Sequence, residues 1–239
     1  MRNQQAAAAH PKLLSFHTVL ALTVIGALPV SAQSLADALG RMDKTAQQFK
    51  AVAADIRRDT YTAVINEHDI DMGTIKARRE KSHGTRMLID FTSPDAKTVS
   101  IDGPNVSVYL PKSRTVDVYD IGSKRNLVDQ FLLLGFGATS ADLKEHYDVT
   151  LIGVEKVGTE NTWHLQLVPK SADVLQHLKK AELWIDQTSG LPAQQRFMLS
   201  AGGDFQLVMF SNVKFNPPLS EGALKLNYPK GVTVEHPRL

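Results

Sequence analysis

The chain of 239 residues contains no cysteine. A disulfide framework is therefore excluded, and the fold must be stabilised by a hydrophobic core. A lipid anchor attached through a cysteine is excluded for the same reason. For an exported protein, these two absences predict a soluble chain that carries no lipid of its own.

The familiar catalytic motifs are also absent. The sequence has no HExxH, no GxSxG elbow, no phosphate loop and no dinucleotide fingerprint. Its histidines are scattered, and His164, which alternates with Trp163 on a strand, is predicted to face solvent. The acidic residues at 67–71 lack the spacing of a calcium loop and indicate a solvated turn. We predict no enzyme, no cofactor and no metal, with a dispersed esterase-like site as an open alternative.

A strong charge of either sign is missing. There are 27 lysines and arginines against 25 aspartates and glutamates, and two of the basic residues lie within residues 1–32. Without that segment the charges balance. The composition therefore gives no reason to expect binding to nucleic acid.

The N-terminal segment has the layout of a secretory signal peptide. It combines a basic start, an apolar stretch at 13–28 and small residues before Ala32. A membrane anchor is the alternative, but the apolar stretch is short for a bilayer and contains polar residues. We therefore predict that residues 1–32 are a signal peptide cleaved near Ala32, that the protein is periplasmic, and that residues 33–239 form one domain.

Alternating apolar and polar residues dominate the chain from 73 to 120. A period of two predicts half-buried strands, and the closely spaced turn residues between them predict antiparallel neighbours. The apolar positions are Met87, Ile89, Phe91, Val99, Ile101, Val106, Val108, Leu110, Val116 and Val118. This part of the chain is a predicted meander with one apolar face.

The same patterns predict the elements around the meander. A helix is expected at 35–48 with Ser34 as its N-cap. Further strands are expected at 55–64, 70–79, 149–151, 163–167, 183–185, 197–199, 205–209 and 232–234. The sum is roughly ten or eleven antiparallel strands, and a sheet of that size must curl, so its concave side needs a filling or a cover.

Residues 126–134 interrupt the β pattern with a run of large apolar side chains, and Gly135 is a natural helix stop. A helix that is apolar nearly all round must be buried on more than one side or must cover an apolar surface. A second short helix is predicted at 140–146. The residues predicted to form such a lid are Leu127, Val128, Phe131, Leu132, Leu134 and Phe136.

Arg79 lies on a predicted strand in phase with Ile75 and Ala77. A guanidinium on an apolar face is unfavourable unless it finds partners. Two interpretations are open. Either the strand frays and Arg79 reaches solvent together with Arg78, or Arg79 reaches across the concavity to carbonyl groups of the lid.

An ordered set of short motifs runs through the chain. It consists of Ser93-Pro94, Ser100-Ile101-Asp102-Gly103, Val108-Tyr109-Leu110-Pro111, Phe210-Ser211-Asn212-Val213 and Pro229-Lys230-Gly231-Val232-Thr233-Val234. Together with the strand from Gly73 to Arg79, this set resembles the periplasmic carrier family of the outer-membrane lipoprotein-sorting (Lol) system, from residue 35 to about residue 236.

The resemblance implies a mainly β fold, an incomplete antiparallel barrel whose helices form a lid over an apolar cavity. It implies that Arg79, six residues after a glycine, is a latch that hydrogen-bonds the lid. The cavity wall would contain Ile75, Met87, Ile89, Phe91, Val106, Val108, Leu165, Leu183, Phe205 and Leu207. The chain departs from the family where Glu80 replaces a proline and where residues 87–91 lack a tryptophan.

The function implied by the resemblance is a carrier that shields the acyl chains of lipoproteins and delivers them to the outer membrane. Its partners would be acylated lipoproteins, an inner-membrane releasing complex and an outer-membrane acceptor, and the carrier itself is expected to be a monomer. The alternative from another class is a periplasmic sensor or interaction protein that binds lipid or lipoprotein.

Overall fold

The computed structural model describes residues 30–80, 84–122, 134–200 and 202–237. Its strands are β1 (Ala51–Thr62), β2 (Glu67–Arg79), β3 (Thr85–Ser93), β4 (Lys97–Asp102), β5 (Asn105–Leu110), β6 (Thr115–Asp120), β7 (Tyr147–Val157), β8 (Glu160–Pro169), β9 (Leu178–Asp186), β10 (Pro192–Leu199), β11 (Phe205–Phe215) and β12 (Thr233–Glu235). The helices are α1 (Val30–Gln48), α2 (Ser140–His146) and α3 (Ala172–Leu175), and a 3₁₀ turn spans Glu221–Leu224.

All twelve strands belong to one sheet, in the order β12-β6-β5-β4-β3-β2-β1-β11-β10-β9-β8-β7. Neighbours are antiparallel except β12, which lies parallel to β6. Within the described residues the sheet ends at β12 and β7 and is not closed. The predicted incomplete antiparallel barrel is thus confirmed as an open sheet, with twelve strands because the short strand of the tail also pairs.

Strand register places one apolar side chain per strand on a common face. Ala54 is opposite Ile75, Ile75 is opposite Ile89, and Ile89 is opposite Val99, which is opposite Val108. Directly opposed residues of a sheet point to the same side. We call this side the inner face and the other side the outer face.

Two buried clusters pack on the inner face. The first joins α1, α2 and β7 to β9 and contains Ala38, Leu39, Met42, Leu134, Leu143, Tyr147, Leu165, Leu167, Leu178, Ala181, Leu183 and Ile185. The second covers β1 to β4 and contains Phe49, Val52, Ala54, Ile56, Ile75, Ala77, Met87, Phe91, Ile101, Phe136 and Leu191. The core therefore lies between the sheet and the segments that cross its inner face.

Helix α1 begins earlier than predicted. It already includes Val30, the first residue that the structure describes, so Ser34 lies inside the helix and is not its N-cap. The segment from 30 to 34 includes alanine and glutamine, which favour the helix and extend it past the expected start. Leu39, Met42 and Ala46 are buried at the predicted spacing. In the described part of the chain, no helix combines the length and the apolar character needed to cross a membrane.

The first hairpin is longer than predicted. Strand β1 begins at Ala51 rather than Asp55 because Val52 and Ala54 are buried in the second cluster, which outweighs the helix propensity of the alanines. Strand β2 begins at Glu67, so residues 67–69 extend the ladder and do not form the predicted loop.

The C-terminal tail crosses the outer face of the sheet. Leu224 is fully buried, and Glu221 forms ion pairs with Arg78 and Arg86 of β2 and β3. The ring of Tyr228 contacts that of Tyr109 on β5 in a tilted arrangement, with centroids 5.9 Å apart, before the chain pairs with β6 as β12. The tail therefore holds the β2–β6 half of the sheet from outside.

His164 lies on the outer face, but the prediction that it faces solvent is wrong, because only 13% of its side chain is exposed. Its ring stacks on Trp184 with centroids 4.2 Å apart, and its Nδ1 lies 2.8 Å from Glu155. Alternation placed His164 on the correct face, but the large ring of Trp184 covers it there. Burial lowers the pKa of His164, although the nearby carboxylates of Glu155 and Glu182 oppose that change.

We expect the free energy of unfolding to fall as the pH drops from about 7.5 to 5.5. The unfolded chain takes up a proton on His164 near the ordinary histidine pKa, whereas the folded chain resists it, so acid favours unfolding. Urea titrations across this window should show a smaller fall for His164→Gln. The window lies above the range in which Glu182, whose pKa is also lowered, loses its stabilising charge. Equal pH slopes for both proteins would contradict this account.

Candidate functional site

The inner face carries most of the predicted cavity wall. Eight of the ten predicted wall residues lie on it, namely Ile75, Met87, Ile89, Phe91, Val106, Val108, Leu165 and Leu183. Met87, Phe91, Leu165 and Leu183 are almost fully buried, whereas Ile89 and Val106 are only partly buried. The apolar surface therefore continues across strands from both halves of the sheet.

Phe205 and Leu207 do not belong to this wall. They are opposite Tyr61 and Asp59, which alternate with the inner-face residue Ile56 and so lie on the outer face. The prediction failed because β11 is apolar on both faces near its start, with Val208 following Leu207. Alternation alone cannot choose a face for such a strand.

The predicted lid is described only in part. Leu127, Val128, Phe131 and Leu132 lie outside the described residues. Leu134 and Phe136 are each 2% exposed. Leu134 packs in the first cluster and Phe136 in the second, where its ring meets Phe210 edge-on with centroids 4.9 Å apart. Residues 134–140, which we call the cover segment, thus bridge both clusters.

Two side chains that sequence patterning did not single out fix the ends of the cover segment. The buried amide of Gln195, on the inner face of β10, donates to the carbonyl of Leu134. Asp43 of α1 accepts hydrogen bonds of 2.6 Å from both the amide N–H and the hydroxyl of Ser140. Both residues have polar neighbours in the sequence, so sequence patterning treats them as ordinary surface positions.

Arg79 holds the middle of the cover segment. Its Nη2 donates to the carbonyl oxygen of Gly137 over 2.9 Å, and its guanidinium lies 5.4 Å from the centre of the Phe49 ring. The strand is still paired at this point, because the N–H of Arg79 donates to the carbonyl of Lys50. Arg78 points to the outer face and pairs with Glu80. Between the two open interpretations, the geometry therefore favours contact with the cover.

Gly137 makes this contact possible. Its φ of +77° is a left-handed conformation, and a Cβ there would lie 2.6 Å from Phe49 and 2.8 Å from Arg79. The backbone of the cover segment can approach the arginine this closely only without a side chain.

A cluster of charges ends the apolar wall beyond Phe91. Arg58 of β1 and Lys97 of β4 both hydrogen-bond Asp71 of β2, and both cations lie over the Phe91 ring. Burial raises the pKa of Asp71, but hydrogen bonds from Lys97 and Arg58 more than offset this and hold the pKa below its usual value. We call Arg58, Asp71 and Lys97 the ion cluster.

The argument that singled out Arg79, a charged residue in phase with the apolar residues of its strand, applies equally to Asp71 of the ion cluster. Asp71 is in phase with Gly73, Ile75 and Arg79 on the same strand. The acidic composition around it favours a solvated turn instead, and that interpretation hides its place on the inner face. Among the residues that the structure describes, no group of three acidic or histidine side chains is arranged to hold a metal ion.

Comparison with known proteins gives a family and a fold. The model of a family described as "-like: Uncharacterized protein" matches residues 83–216 of the chain, more than half of its length. No curated protein matches the sequence. The fold resembles an uncharacterized conserved protein from Thermus thermophilus, at a TM-score of 0.54 and 16% identity, over 86% of this chain and 100% of that one.

Two further solved structures are similar. A crystal structure of MucB aligns at a TM-score of 0.51 and 18% identity over 83% of this chain, and the chain spans 64% of the length of that structure. A LolA superfamily protein from Nitrosomonas europaea aligns at 0.38 and 14% identity over 83% of this chain and 99% of that one. At these identities, the two similarities above 0.5 show a shared fold alone, and the third carries no argument.

Proposed function

We propose that this chain, which belongs to the family whose model matches residues 83–216, binds acyl chains on the inner face of its sheet. The observation that carries the proposal is an apolar inner face, crossed by a cover segment that a few polar side chains hold in place. In its finer form, the proposal is a periplasmic carrier that shields the acyl chains of lipoproteins and delivers them to the outer membrane. In this proposal the protein catalyses no reaction and acts as a monomer.

The energetics suit a carrier. Each methylene taken out of water contributes roughly 0.8 kcal/mol, so two or three acyl chains exposed to water would cost on the order of tens of kcal/mol. Each hydrogen bond that holds the cover segment contributes only about 1 kcal/mol. Bound chains can therefore be well shielded, while the cover itself is easily displaced.

The test is native mass spectrometry of the exported protein after co-expression with an acylated lipoprotein and, as the control, with the same lipoprotein lacking its acylated cysteine. We expect a complex with the acylated form only. Protein that is consistently empty with both would contradict the proposal. If the protein binds acyl lipid but does not transfer it to acceptor vesicles, the carrier role is wrong and the alternative function, a sensor or interaction protein, is supported.

Replacing Arg79 with leucine is expected to slow the release of a bound acyl chain about fivefold. The variant loses the hydrogen bond to Gly137 that stabilises the closed, empty state, a loss of about 1 kcal/mol for an exposed side chain. The measurement is the release of a fluorescent fatty acid to excess vesicles. Arg78→Leu is the matched control, because this neighbour lies on the outer face and its hydrogen bonds go to Glu80, Leu219 and Glu221, none of them in the cover segment. Unchanged release in Arg79→Leu would contradict the latch.

A further inference from the structure

The ion cluster lies at one end of the apolar wall. Along β2 the inner face presents Arg79, Ala77, Ile75, Gly73 and then Asp71, so the latch and the ion cluster lie at opposite ends of the apolar stretch of this strand. The apolar stretch between them is the part of the wall on which an acyl chain would lie. A ligand that has both an apolar chain and a polar end would thus meet two matching surfaces in sequence.

The three side chains of the ion cluster are joined by hydrogen bonds and are partly buried. Asp71 Oδ2 accepts from Arg58 Nε over 3.1 Å and from Nη2 over 2.5 Å, while Oδ1 accepts from Lys97 Nζ over 2.9 Å. The side chains of Arg58, Asp71 and Lys97 are 25%, 9% and 27% exposed. The cations also lie 4.4 and 5.0 Å from the centre of the Phe91 ring. Both cations are therefore held in fixed positions above the wall.

The charges of the ion cluster do not cancel. Two cations face one carboxylate, so these three side chains together carry one positive charge. The other carboxylates on this face of β2, Asp69 and Glu67, lie beyond Asp71 and are exposed. The hydrogen bonds to Asp71 use only part of the donors, since a guanidinium has five N–H groups and an ammonium has three. Charges set against apolar surface rarely add stability compared with apolar residues of the same size. A role in binding accounts for them better than a role in folding.

We propose that the ion cluster binds the anionic group of an amphiphile, a phosphate or a carboxylate, whose acyl chain lies on the inner face. Arg58 and Lys97 would donate to the anionic oxygens, with Asp71 as the internal anion that the ligand partly displaces. Arginine suits this role because its planar donors match phosphate and carboxylate oxygens. The inference deepens the proposed function and rests on it for the apolar part of the ligand.

The test compares decyl phosphate, decanol and inorganic phosphate in equilibrium binding to the full chain, below the concentration at which micelles form. Decyl phosphate is expected to bind about fivefold more tightly than decanol, as one partly screened charge-assisted contact allows. Lys97→Met should remove this preference. Asp71→Asn should raise the affinity for decyl phosphate about fivefold, because the competing anion is gone. Decanol should bind all three proteins equally.

The controls separate this inference from the proposed function. Lys180→Met removes a half-buried lysine that pairs with Glu182 on the outer face, and it should leave the preference intact. Failure of decanol and decyl phosphate alike to bind the wild-type chain would overturn the proposed function. Decanol binding without any preference for the phosphate, or weaker phosphate binding in Asp71→Asn that refolds to the wild-type stability, would overturn the ion cluster alone. Inorganic phosphate that binds as tightly as decyl phosphate would show a site for free anions and would also overturn it.

Discussion

Replacing Phe136 with alanine is expected to lower the free energy of unfolding by about 3–5 kcal/mol. The ring is 2% exposed and packs edge-on against Phe210 within the second cluster. Its removal deletes the buried apolar area and leaves a cavity where the cover segment meets the sheet. Urea unfolding at constant m-value measures the loss.

The matched control is Phe205→Ala. This phenylalanine is of the same size but lies on the outer face, only partly buried, with its ring 5.0 Å from that of Tyr61. We expect it to cost less than half as much, because a partly exposed ring loses less transfer free energy. Equal losses at both positions would show that Phe136 does not anchor the cover segment to the core.

Replacing Gly73 with alanine is expected to destabilise the protein by about 3 kcal/mol. A Cβ at this position would lie 2.2 Å from the carbonyl oxygen of Asp90 and 2.8 Å from the Cα of Phe91. Both atoms belong to the backbone of β3, so no side-chain rotation can relieve the clash. The strands must separate at the point where an extra residue, Thr92, already makes β3 irregular opposite Met72 and Gly73.

Gly153→Ala provides the comparison, since no atom lies within 4 Å of a Cβ built there. It should change the free energy of unfolding by less than about 1 kcal/mol. If both substitutions had the same small effect, the close approach of β2 and β3 at Gly73 would be wrong. Release kinetics of the Gly73 variant should also change, because β2 carries Arg79 at its end.

The parts of the fold governed by local pattern could be predicted. The meander is largely predictable because most of its apolar residues alternate on one face, from Ile75 to Val108. The prediction that Val116 and Val118 share this face is wrong, because they pair with Tyr109 and Ser107 and lie on the outer face. Helix α2 has the predicted bounds, and Thr139 and Asp142 form a capping box at its start. The mutual hydrogen bonds with Thr139 outweigh burial and hold the pKa of Asp142 below its usual value.

The parts that depend on distant packing could not be predicted. Strand β11 is apolar on both sides, so its two faces become distinguishable only through pairing with β1. Alternation places His164 on the correct face, but the stacking of Trp184 from the neighbouring strand buries it. Gln195 holds the cover segment through one contact across 61 positions of sequence, which no local pattern encodes.

The most direct test of acyl binding uses the two tryptophans of the chain. Trp163 lies on the inner face beside Leu165, whereas Trp184 lies on the outer face opposite His164. Two single-tryptophan proteins, Trp184→Phe and Trp163→Phe, are titrated with a fatty acid brominated along its chain, since bromine quenches tryptophan fluorescence only at short range. We predict saturable quenching of Trp163 and none of Trp184. Quenching of Trp184 alone, or of neither, would contradict a lipid-binding inner face.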